Sequence, residues 1–302
     1  MQPIVDRPPQ GEEGRIIVTE SLTALAVAQQ YAGRYQAAES LNRRALELDR
    51  ALHGNAHPRV AYDLSNIASA RATLGHYSEA ESLYREAASI LEHWYGLDNP
   101  DTVEVESFVA LMAMQDGKDM EAERLLKNVL PMQERAYGTR IHPTIAFTYD
   151  TLGKLAVKRA NLAEAEADFT RSAEITGKLF GKSDYKTAIT INDLAGVLVK
   201  EGQYARAEQI VRPAVKALTE RPLPGNKSVG IAQLNLGEAL LGQKRYSDAE
   251  TPLLAAYGIL HDQPGPYTSR FQDTRKDLGR VYDALGQPTK AAKFRTELAV
   301  QK

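Results

Sequence analysis

The 302-residue chain has no cysteine, one tryptophan and six histidines, and its charges nearly cancel to a net −2. Without cysteine there is no disulfide framework, no thiolate metal site and no thiol nucleophile. Without an excess of basic residues there is no electrostatic footprint for nucleic acid, so no nucleic-acid partner is expected. No stretch is apolar over the length that a membrane span requires; no membrane partner is expected, and the expected location is cytoplasmic. Catalytic signatures are missing as well: there is no Gly-x-Ser-x-Gly elbow and no kinase glycine loop, His-Arg-Asp or Asp-Phe-Gly. Gly181-Lys182-Ser183 ends like a phosphate loop, but Thr176 stands where that loop needs its first glycine. His53 and His57 have the spacing of a helical metal site, yet Gly54 and Pro58 beside them mark a loop. The same His-Pro pair returns at His142-Pro143, so a capping or loop role is expected. No enzymatic activity, cofactor or metal is expected.

What the chain has instead is repetition. "GRYQAAESLN" at 33–42 returns as "GHYSEAESLY" at 75–84 and "GKDMEAERLL" at 117–126. The alanine of this phrase is Ala38, Ala80, Ala122, Ala165, Ala207, Ala249 and Ala291, at spacings of 42, 42, 43, 42, 42 and 42. Glutamate follows six of the seven: Glu39, Glu81, Glu123, Glu166, Glu208 and Glu250. Twelve residues before each alanine lies a very small residue behind a branched apolar one, as in Ile67-Ala68, Leu152-Gly153 and Leu236-Gly237. Self-similarity at one fixed period is the signature of a tandem array.

Each unit reads as two helices. In the second unit Leu64, Ile67, Ala68, Arg71 and Leu74 form one helical stripe, and Ala80, Leu83, Tyr84 and Ala87 another. Gly75 supplies the helix stop. Ser78 with Glu81 reads as a capping box for the second helix, and the recurring glutamates read as exposed or capping residues. No segment alternates like a half-buried strand, so the expected fold class is all-α. One hairpin cannot bury both of its apolar faces, so neighbours must stack into a solenoid. The unit boundaries fall near 18–59, 60–102, 103–144, 145–187, 188–229, 230–269 and 270–302, the last acting as a cap. Residues 1–17 read as a flexible tail or linker, as at the edge of a piece of a longer polypeptide. Pro131, Pro213 and Pro252 fall inside second helices, and local bends are expected there.

The order small residue, Gly-x-Tyr, Ala, Ala resembles the tetratricopeptide repeat. Here it is Ala26, Gly33-Arg34-Tyr35, Ala38 and Ala45, then Ala68, Gly75-His76-Tyr77, Ala80 and Ala87. The 42-residue period, the linker "ALHGNAHPRVA" at 51–61 and the phrases "LSNIA" and "INDLA" are similar to the kinesin-light-chain-like variant. The resemblance covers residues 18–302. Ala160 and Lys244 depart from it by replacing the turn glycine. It implies a right-handed α-solenoid of about seven hairpins, a protein-protein interaction scaffold that takes a partner peptide or helix in its concave groove. The alternative is a regulatory or sensor segment of a larger signalling protein such as a bacterial Ser/Thr kinase. A monomer is expected, with end-to-end association as the other option.

In that family the first helix of each unit lines the groove. By register these positions are Tyr31 in the first unit, Tyr62 and Ser65 in the second, Leu111 in the third, and Phe147, Asp150, Lys154 and Lys158 in the fourth. The fifth gives Ile189, Asn192 and Lys200, and the sixth Ile231, Leu234 and Glu238. Tyr62, Phe147, Ile189 and Ile231 are the expected apolar anchors, Ser65 and Asn192 the backbone-binding groups, and Lys154, Lys158 and Lys200 a basic patch for an acidic segment.

Overall fold

A computed structural model describes residues 11–220, 227–261 and 267–299. Residues 1–10, most of the expected tail, lie outside these, as do 300–302 of the expected cap. Fourteen helices and no strand occur among the described residues, so the chain is an all-α solenoid of helical hairpins. It divides into two compact units, one ending at Arg140 and the other beginning at Ile141. The first holds three hairpins: α1 (Gly11–Tyr31) with α2 (Tyr35–His53), α3 (Pro58–Thr73) with α4 (Tyr77–Tyr95), and α5 (Pro100–Gln115) with α6 (Asp119–Tyr137). The second holds four: α7 (Pro143–Lys158) with α8 (Leu162–Phe180), α9 (Tyr185–Lys200) with α10 (Tyr204–Glu220), α11 (Lys227–Gly242) with α12 (Tyr246–Leu260), and α13 (Tyr267–Ala284) with α14 (Pro288–Ala299). The first helix reaches back to Gly11, ahead of the array boundary read from the sequence. α6, α10 and α12 each run on through their internal proline.

The seven phrase alanines are all fully buried at 0% exposure. Each sits where the two helices of its hairpin cross, and the small residue twelve positions earlier belongs to the facing helix. Side chains there are matched in size. A Cβ added to Gly153 would lie 2.9 Å from the Phe169 ring, and one added to Gly237 would lie 2.5 Å from Leu253. The helices therefore approach as closely as backbone and partner side chain allow, which is why glycine stands opposite the bulkier residue.

Helix starts between hairpins follow a shared rule. His57, Asn99, His142 and Asp184 each accept, through the side chain, the backbone N–H two residues on, at 3.2, 2.9, 3.3 and 2.8 Å. Proline opens three of these four helices, where its missing N–H costs nothing.

Inside each hairpin the turn is tighter. The Gly75 N–H donates to the Ala72 carbonyl and the His76 N–H to the Arg71 carbonyl, both at 3.0 Å. This pair of bonds needs a left-handed residue between them, and Gly75 has φ +85°. His76, which closes the turn, is also the residue from which α4 departs, and it makes no side-chain cap. Ser78 is already inside the helix, so the expected capping box does not form.

Its partner Glu81 is put to a different use, and the reading of the recurring glutamates as exposed or capping residues is corrected with it. Glu39, Glu81 and Glu123 are buried, at 6–8% exposure. Glu81 accepts from Arg85 in its own helix at 2.8 Å and from Lys118, in the turn of the next hairpin, at 3.0 Å. Glu39 does the same with Arg43 and Arg71, and Glu208 with Arg212 and Arg245. Burial alone would raise the Glu81 and Glu208 carboxyls; the hydrogen bonds outweigh it and hold both below the usual range. The glutamate is thus a staple from one hairpin to the next.

The same turn geometry is imposed on Ala160 (φ +58°) and Lys244 (φ +63°), the non-glycine residues of positive φ among the described ones. A left-handed L-residue costs about 1–2 kcal/mol, offset in part by the entropy that glycine loses. Ala160→Gly and Lys244→Gly are each expected to raise stability by about 1 kcal/mol, seen as a higher midpoint in denaturant unfolding at unchanged slope.

Candidate functional site

In the first unit the expected groove residues stand mostly in bonds to their own framework. Tyr31 is 91% exposed at the end of α1. Tyr62 is exposed, but its hydroxyl donates to Asp101 at 2.6 Å, and burial together with that carboxylate raises its pKa. Ser65 donates to the Ala61 carbonyl of its own helix at 2.9 Å, so the donor expected to meet a peptide backbone is occupied. Leu111 is half-buried.

The chemistry of this unit lies beneath that face. Asp49 and Asp63 are 2% and 3% exposed, packed between α2 and α3. Burial first, and the neighbouring Asp49 charge second, push the Asp63 carboxyl up to about 8, while Arg59 opposes them. The His53 imidazole lies 3.9 Å from Asp49 and stacks on His57 at 4.4 Å, and His57 meets the edge of Trp94. The folded unit therefore keeps a proton that the unfolded chain releases near pH 4. That contribution is present in full at acid pH and is lost as pH rises toward 8. Asp63→Asn is expected to abolish this dependence, so that its stability relative to the parent rises from pH 5 to pH 8 by on the order of 1 kcal/mol or more; thermal melts of both proteins across pH 5–9 measure it.

The second unit gathers the remaining residues around cavities. α9 packs against α11 and α11 against α13, so first helices stand side by side and their outer faces form one wall. A cavity of about 290 Å³ opens on it, lined from α7, α9, α11 and α13 together. Val157, Phe169, Val197 and Ile231 supply apolar lining, and Lys154, Lys158, Lys200 and Arg270 bring four cations. Phe147, Asp150 and Ile189 line a neighbouring cavity of about 250 Å³ beside α8. Glu238 lines a third, of about 220 Å³, with Asp273 and Asp277. Leu234 is fully buried and faces none of them, and Asn192, at 3% exposure, reaches the first cavity only as lining.

The cations are not equivalent. Lys154 lies 2.6 Å from Asp150 and 3.6 Å from Asp193. Burial would lower its pKa, but these two carboxylates raise it overall. Asp193 is itself pushed up to about 6 by burial, against the pull of Lys154. Lys200 is lowered by burial and by the Arg270 charge beside it. Glu238 is raised to about 7, by burial and then by Asp277. Beneath them the Asn235 amide donates to the carbonyl and side-chain oxygens of Asn192, at 3.0 and 2.8 Å. This joins α11 to α9, and the Asn235 Oδ1 is left without a hydrogen-bond partner although the residue is 1% exposed.

Lys154, Lys158, Asn192, Lys200 and Ile231, picked out by register, thus meet at one cavity. Arg270, Asn235 and Asp193 were missed. Arg270 stands in the last hairpin, whose first helix is not searched when that unit is read as a cap. Asn235 and Asp193 lie one residue beyond the expected groove positions, and the lean of one helix on the next turns them inward.

Residues 18–93 match the family model described as Tetratricopeptide repeat, a fold generally used for protein interaction. No curated protein matches the chain. Among solved structures the chain is similar to BtubC (BKLC) from P. vanneervenii, at 19% identity and TM-score 0.62, over 82% of this chain and 94% of that one. It is similar to the Pyrococcus horikoshii signal transduction ATPase PH0952, which has a tetratricopeptide repeat sensor, at 13% identity and TM-score 0.73, over 95% of this chain and 43% of that one. A Rap protein complexed with Competence and Sporulation Factor aligns at 16% identity and TM-score 0.58, over 95% and 78%.

Proposed function

We propose that the chain, an all-α array whose residues 18–93 match the tetratricopeptide-repeat model, is a non-catalytic scaffold whose second unit captures an extended segment of a partner protein. The observation that carries this reading is the cavity lined by all four first helices of that unit. A cavity shared by four stacked hairpins lies along the wall rather than inside one hairpin, so it suits a chain laid across the repeats. Its lining combines apolar surface with charged groups at the edge and a buried acceptor, the mixture that anchors a side chain and fixes its backbone. Ile231 and Lys200 are the proposed contacts from the original register, with Lys158 at the edge. The Rap protein solved with Competence and Sporulation Factor lends support by analogy of fold alone.

Gly196 offers a direct test. A Cβ at this position would meet Asn235 first, at 3.5 Å, an ordinary contact. A larger side chain would fill the cavity while improving helix propensity. Gly196→Leu is expected to keep the fold, checked by circular dichroism, and to cut the affinity of peptides selected on the parent protein from a random linear library by about tenfold or more. Selected peptides that bind Gly196→Leu as tightly as the parent would sink the proposal.

A further inference from the structure

The charges around the cavity specify more than an extended segment. We infer that the second unit reads an ordered pair of charges: an apolar side chain in the cavity, a single carboxylate beside it at Lys200 and Arg270, and a basic residue beyond that carboxylate at Glu238 and Asp273. The inference rests on the proposed groove reading and names the partner that fits it.

Three observations carry it. The first is frustration between cations. Lys154 has its counter-ions in Asp150 and Asp193, whereas the Lys200 and Arg270 side chains have neither ion pair nor hydrogen bond among the described residues. The Arg270 charge lowers Lys200 more than either Glu238 or Asp273 raises it, so one incoming carboxylate relieves a repulsion already built into the wall. The second is the orphaned acceptor. Asn235 commits its NH₂ to Asn192, which fixes the amide, and its buried Oδ1 lines the same cavity with no donor. A peptide N–H supplies that donor, and a buried acceptor left unpaired is unfavourable until it does. The third is what stands next to the cations. Glu238, Asp273 and Asp277 line the adjoining cavity. Asp277 is paired with Arg280 at 3.0 Å, but Glu238 has no ion pair or hydrogen bond among the described residues. A second acidic residue in the ligand meets these carboxylates and is repelled, while a basic one is drawn in. The wall therefore selects against a run of acidic residues, even though four cations surround the cavity.

The test uses the full chain and fluorescent synthetic peptides with a central leucine and neutral ends. Beside the leucine stand aspartate and then lysine, or lysine and then aspartate, on either side of it; control peptides carry two aspartates, two lysines or two serines there. Fluorescence polarisation gives the affinities. One dipolar order is expected to bind about tenfold more tightly than the diacidic and dibasic peptides. Lys200→Glu, at an exposed position, with Arg270→Glu, at a half-buried one, should remove the benefit of the aspartate, and Glu238→Gln that of the lysine. A diacidic peptide binding as tightly as either dipolar one overturns the inference, as does indifference to all three substitutions. If such binding is still lost in Gly196→Leu, the groove reading stands and only the charge order falls. Binding untouched by Gly196→Leu, or no binding by any peptide, overturns both.

Discussion

Seven alanines set how closely the two helices of each hairpin can approach, and the rest of the structure depends on that distance. At 0% exposure these positions have no room for a further methylene, and overpacking of this kind typically costs about 1–3 kcal/mol. At Gly153 and Gly237 the facing Phe169 and Leu253 leave no room even for a Cβ. The period of 42 residues is thus a packing period. It fixes how far apart consecutive hairpins begin, and so which side chains share a wall.

Two further devices turn close hairpins into a stack. The intra-hairpin turn uses one left-handed residue and two backbone bonds, and the residue that closes it also starts the second helix, with a side-chain cap at Asn161 and none at Arg34, His76, Lys118 or Arg245. The glutamate released from that task reaches into the turn of the following hairpin and meets a cation or amide there. Its hydrogen bonds outweigh the burial that would otherwise protonate it. Charge here is a connector between repeats, whereas the unpaired Lys200, Arg270 and Glu238 belong to the outer wall of the second unit. The division is physical: the glutamates that face the next hairpin are satisfied there, whereas on the wall Lys154 is paired and Lys200, Arg270 and Glu238 have no ion pair among the described residues. The first unit presents a contrasting case, since Tyr62 and Ser65 are bonded to their own framework and its unusual titration is buried between α2 and α3.

The repeat, the two-helix unit and the turn were legible because each depends on residue type at fixed spacing. Ala38 and its six counterparts, the turn glycines and the His-Pro loops need no knowledge of distant contacts. The site was legible in part. Lys154, Lys158, Lys200 and Ile231 follow from helical register, but Leu234 is in the core and Asn192 spends its oxygens on Asn235. One residue along a helix is a rotation of about 100°, and the lean of one hairpin on the next decides which of two adjacent positions faces the wall. Nothing at residue 235 indicates that its amide will meet residue 192.

By itself the sequence determined the elements and their order, because helix periodicity, left-handed turn residues and small crossing residues act locally or within one hairpin. Tertiary structure alone decided which charges are neutralised and which stay open. Lys154 and Lys200 are the same residue type on first helices of successive hairpins, yet one lies between two carboxylates and the other against Arg270. Electrostatic environment is set by side chains that converge from different hairpins, and that convergence comes into being only when the hairpins stack.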